Sequence, residues 1–130
     1  GVGDLARSRR FYTEGFGWKP VFESDEIVFF QMNGLVLGVW LRSAQAADMR
    51  RANRAGPADF ALAHNVATRA QVLPVMDQLV RAGGRLVKAP IDPPHGGFSG
   101  YVADPDDHAW EIAWNPGWTI DENGFVRFGL

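Results

Sequence analysis

The stretch Asp104–Pro116, DPDDHAWEIAWNP, carries the reading from which the rest of the chain follows. Asp-Pro-Asp-Asp is a tight turn. What comes next is strand-like and apolar except for Glu111, which stands among Ala109, Trp110, Ile112, Ala113 and Trp114. A strand alternates its side chains between two faces, so Glu111 lies with Ala109 and Ala113, while Trp110, Ile112 and Trp114 point the other way, beneath helices. A carboxylate buried without a partner is strongly unfavourable. Glu111 therefore calls for a cation, a metal or a hydrogen-bond donor, and its small neighbours suit the wall of a pocket.

Upstream of this stretch, FSGYVAD (98–104) and RLVKAP (85–90) read as two further strands. VLPVMDQLVRAGG (72–84) is an amphipathic helix ended by its glycines, opened by TRAQ (68–71), where Thr68 and Gln71 form a capping box. FALAHNV (60–66) is a strand. The first half has the same order. Gly1 and Val2 read as the end of a strand, Asp4 caps a helix carrying Leu5, Ser8, Phe11 and Tyr12, and GFG (15–17) stops it. WKPVFESDEIVFFQ (18–31) holds two strands and LVLGVWLR (35–42) a third. SAQAADMRRANRAGPAD (43–59) is a partly helical linker, and Asn123-Gly124 favours a small terminal hairpin. Strand, helix, three strands therefore occurs twice. Superposing Val2 on Val66 brings MNGLVLGVW (32–40) onto PDDHAWEIA (105–113), an internal repeat of elements rather than of letters.

Composition limits the function classes. At 130 residues the chain is one domain-sized unit, and its 46% hydrophobic and 22% charged residues are those of a globular protein. A net charge of -2, with arginines set among acids and alanines, argues against nucleic acid. The absence of cysteine rules out disulfides and thiolate chemistry and is compatible with a cytoplasmic location. No apolar run is long enough for a membrane helix.

GVGDLARSRRFYTEGFGWKP (1–20) and YVADPDDHAWEIAWNP (101–116), at this separation, resemble the opening and the closing strand pair of the vicinal oxygen chelate superfamily, the glyoxalase, bleomycin-resistance and extradiol-dioxygenase group. The resemblance implies an α+β fold of two tandem βαβββ modules that curl into a cup with helices outside, commonly as a homodimer. It implies module one at about 1–42, a linker at about 43–57, module two at about 58–116 and a tail at 117–130. In the family's enzymes a divalent metal sits in the cup on ligands from the first and last strand of each module. Glu111 matches the last-strand ligand of module two. Its counterpart in module one is Gly38, the first-strand position of module two is Ala61, and the matching position of module one precedes Gly1. Only Glu111 is kept of this set, against about three protein ligands in a catalytic site.

The expectation is accordingly a protein that sequesters a planar or amphipathic small molecule without a catalytic metal or other cofactor. Glu111 and Asn65 supply polar contacts. Trp40, beside the side-chain-free Gly38, and Tyr101 supply stacking surface. His95, in the loop DPPHGGFSGY (92–101), is a further ligand-facing residue. The alternative is a metal-dependent lyase, isomerase or dioxygenase that uses Glu111 with His95 or with a residue outside this chain. His64 is expected on the helix side as a hydrogen-bonded structural histidine, and His108 at the turn. Trp18 and Trp118 are open to either a lid or a contact role.

Overall fold

The computed structural model describes residues 1–48, 50, 52–56, 61–94 and 96–128. Asp4 caps the first helix, α1 (Leu5–Arg10), by accepting the Arg7 backbone N–H at 2.9 Å. The helix runs on as a π-helical turn, Phe11–Gly15, and Gly17, at φ +74°, takes the left-handed turn that ends it. Three antiparallel strands follow: β1 (Pro20–Glu23), β2 (Ile27–Gln31) and β3 (Val36–Trp40). The linker opens with a short helix, α2 (Arg42–Asp48).

The second half begins with β4 (Leu62–Asn65). Thr68 and Gln71 form the expected capping box on a 3-10 turn that leads into α3 (Val72–Arg81). The strands β5 (Arg85–Ile91), β6 (Phe98–Ala103) and β7 (Ala109–Trp114) complete it, in a four-stranded sheet of order β4-β7-β6-β5. The last two strands, β8 (Trp118–Ile120) and β9 (Val126–Phe128), form a hairpin, with Gly124 at φ +80°. The fold is thus mixed α+β, with three-, four- and two-stranded sheets.

Equivalent hydrogen bonds recur in the two halves. The Val66 N–H donates to the Ala113 carbonyl, where β4 runs parallel to β7. The Val2 N–H donates in the same way to the Trp40 carbonyl, and Val2 forms a parallel bridge with Leu41. Trp40 and Ala113 are equivalent under the repeat read from the sequence, so Gly38 and Glu111 stand at matching positions on β3 and β7.

The helices α1 and α3 cover one face of the sheets. Val28, Phe30 and Val39 of the first sheet meet Phe11 and Tyr12, which also pack against Val102, Trp110 and Ile112 of the second. Phe16 stacks on Trp18 at 4.4 Å, and Trp18 meets Trp110 edge-on at 5.6 Å, so Trp18 belongs to this aromatic core. Gly100 on β6 lets α3 approach: a Cβ there would lie 2.7 Å from Met76 Cε and 2.8 Å from the Lys88 carbonyl oxygen. No helix of the described residues is long and apolar enough to cross a membrane.

Candidate functional site

The turn between β6 and β7 fixes the strand that carries Glu111. Asp104, only 3% exposed, accepts the Tyr12 hydroxyl at 2.7 Å, the His108 ring Nδ1 at 2.9 Å and the backbone N–H groups of Asp106 and His108. Burial raises its pKa, but the donors from His108 and Tyr12 outweigh it and hold the carboxyl below its ordinary value. Burial and the Asp104 charge push the Tyr12 hydroxyl far up, so Tyr12 remains a donor. Asp106 binds the other half of the chain, accepting the Gly3 N–H at 2.7 Å and the Ser8 hydroxyl at 2.9 Å, with Arg42 at 3.1 Å and Arg7 at 3.2 Å. Its carboxyl too lies below its ordinary value, because these donors overcome the effect of burial. Asp107, at φ +70°, turns the chain and pairs with Arg85.

Beyond the turn, the alternation along β7 is the one read from the sequence. Trp110 and Ile112 are buried among the helices, and Glu111 stands partly exposed on the opposite face. The parallel strand β4 places Ala63 beside Glu111, and the antiparallel strand β6 places Tyr101 opposite it. Desolvation, then the charge of the Glu111 carboxylate across the strand, raise the Tyr101 pKa, so the phenol stays protonated opposite that carboxylate. Asn65 follows two positions after Ala63 on the same face. Its Oδ1 accepts the Asn115 Nδ2 at 2.9 Å, and its own amide N–H groups have no protein partner among the described residues. Glu111, Tyr101 and Asn65 are therefore brought together.

Trp40 stands on the first sheet rather than in the cross-strand row of Glu111. It lies on β3, paired with Ile27. The space expected beside it at Gly38 is filled: a Cβ there would meet the Phe29 ring at 3.0 Å and Ile27 Cδ1 at 3.7 Å. Phe29 is the cross-strand neighbour of Gly38, and its ring occupies the volume that glycine leaves. His95 lies outside the described residues. His64 is on the helix side as expected, but it is not hydrogen-bonded among the described residues. Its ring meets Phe16 edge-on at 5.2 Å, and burial lowers its pKa. His108 is a turn residue whose task, holding Asp104, the sequence reading missed. An Asp whose own turn supplies N–H donors two and four residues later, followed by a histidine, was the available signal.

Among the described residues, those around Glu111 do not fit the divalent metal of the family's enzymes. Its neighbours across the sheet are an alanine and a phenol, its counterpart is a glycine, and no three His, Asp or Glu side chains gather among the described residues.

The chain resembles several solved structures. A glyoxalase-related enzyme from Fulvimarina pelagi is 53% identical, covers 100% of this chain and 94% of its own, and superposes with a TM-score of 0.96. The hypothetical protein SA1046 from S. aureus shares the fold at 20% identity, over 88% of each chain, with a TM-score of 0.78. A lactoylglutathione lyase from Agrobacterium tumefaciens does so at 18% identity, over 88% of this chain and 87% of its own, with a TM-score of 0.70. A search of the curated proteins returns no match. The profile of the Glyoxalase/Bleomycin resistance protein/Dioxygenase superfamily matches residues 1–112, and the chain belongs to that superfamily.

Proposed function

We propose that this chain binds a small planar or amphipathic molecule on the Glu111 face of its second sheet, without a catalytic metal. In this reading the two halves are βαβββ modules whose sheets together form a cup, and Glu111 is the one polar anchor left at the positions where the family's enzymes hold a metal. The observation that carries it is the cross-strand placement of Tyr101 opposite Glu111, on a face flanked by alanines. A carboxylate beside a phenol and walled by small side chains is prepared to accept a donor from a ligand. The amide N–H groups of Asn65 supply a second directional contact nearby. A homodimer accords with the exposed apolar residues of the first sheet, Phe22 at 53% and Val36 at 51% exposure among them.

The test is a titration of the protein with a panel of planar aromatic compounds of differing charge, followed through the backbone amide signals. Shifts centred on Ala63, Tyr101 and Glu111 that are lost in Glu111→Gln support the reading. A panel that moves none of these amides, or moves them equally in the variant, contradicts it.

The second reading is a metal-dependent lyase, isomerase or dioxygenase. It is favoured by the 53% identity to the glyoxalase-related enzyme from Fulvimarina pelagi. It requires donors beyond the described set around Glu111.

A further inference from the structure

The cross-strand row that holds Glu111 extends one strand further. Lys88 on β5 is in register with Tyr101 on β6, Tyr101 with Glu111 on β7, and Glu111 with Ala63 on β4. Lys88 Nζ lies 6.0 Å from the centroid of the Tyr101 ring, which puts the lysine on the same face as the phenol and the carboxylate. None of the ion pairs among the described residues uses Lys88 or Glu111. The row therefore presents, in order, an unpaired ammonium, an aromatic ring and a carboxylate without a cationic partner. Adjacent strands are about 4.8 Å apart, so the two charged ends are anchored on backbones about 10 Å apart.

We propose that this row recognises a zwitterionic small molecule: a flat body with an anionic group at one end, held by Lys88, and an ammonium at the other, held by Glu111. The body lies along Tyr101. The proposal rests on the reading of the Glu111 face as the ligand site and adds the class of ligand. The physical case is complementarity of charge at both ends of one ring. A ligand with a single charge leaves one protein charge unanswered, and a dianion or a dication meets one end of the row with like charge.

Three probes separate the possibilities: 4-(aminomethyl)benzoate, which has both ends, benzylamine, which has only the ammonium, and benzoate, which has only the carboxylate. Their affinities are measured at low salt by amide-signal titration of the intact protein. The zwitterion is expected to bind roughly five- to tenfold more tightly than either half-probe, the effect of one added charge-assisted contact at a partly exposed site. Lys88→Met should bring its affinity down to that of benzylamine while leaving benzylamine unchanged. Glu111→Gln should bring it down to that of benzoate. Zwitterion binding that is no tighter than benzylamine, or insensitive to Lys88→Met, overturns the ligand class even if the Glu111-dependent binding of benzylamine persists. A wild-type protein whose Ala63, Tyr101 and Glu111 amides respond to none of the three probes contradicts both this inference and the reading it rests on. Lys88 is exposed, so its replacement does not endanger the fold.

Discussion

The hydroxyl of Tyr12 donates to the carboxylate of Asp104 over 2.7 Å, tying the π-helical turn after the first helix to the turn that launches β7. The same hydroxyl accepts the Trp110 indole N–H at 3.3 Å. The strand carrying Glu111 is thus anchored to the first half of the chain through its own buried neighbour. Tyr12→Phe leaves an aspartate oxygen short of a donor in the interior, which should cost about 1–3 kcal/mol of unfolding free energy. In a double-mutant cycle with Asp104→Asn, the combined loss should be smaller than the sum of the single losses, because both variants break one network. Strict additivity would show that the bond contributes nothing.

Acid stability follows from the same turn. Asp104 and Asp106 have folded-state pKa values below their ordinary value of 3.8. Their contribution is therefore complete above the unfolded-state pKa and is lost as pH falls through the folded-state values, since the unfolded chain takes up the protons first. Denaturant melts at a series of pH values should show stability dropping below about pH 4, and the drop should be shallower in Asp106→Asn. An unchanged slope in that variant would mean that Asp106 carries no such linkage.

Gly100 gives a packing prediction. Adding a methyl group there forces Met76 and the β5 backbone apart, because the new atom would sit 2.7 Å from the methionine and 2.9 Å from the Pro90 nitrogen. Gly100→Ala should lower stability by about 1–3 kcal/mol, read as a fall in thermal midpoint. A wild-type midpoint would show that α3 can move away freely.

Trp40 is predicted to be a bystander for ligands of the Glu111 face. Trp40→Ala should change the affinity of a compound that shifts the Glu111 amide by less than about twofold, whereas Tyr101→Ala should weaken it by about fivefold or more, the effect of losing an aromatic contact. Equal losses would put both residues in one site.

The strands, the helices and the phase of Glu111 were legible in the sequence because alternation and capping are local. Ala109, Glu111 and Ala113 share a face for the same reason that Trp110 and Ile112 are buried. The gap imagined at Gly38 was not legible. Phe29 is nine residues away along the chain and becomes its neighbour only through the β2–β3 register. The donors gathered by Asp106 were hidden for the same reason, since Gly3 and Ser8 reach it from the far end of the chain. Lys88 joined the row with Tyr101 only through an irregularity in the β5–β6 pairing that no periodicity predicts.

The central claim, that Glu111 anchors a ligand and not a metal, is tested most directly by elemental analysis of protein purified without chelator. The account predicts transition metal well below about half an equivalent per chain, and no difference between the wild-type protein and Glu111→Ala. A bound metal near one equivalent that disappears in Glu111→Ala would contradict it.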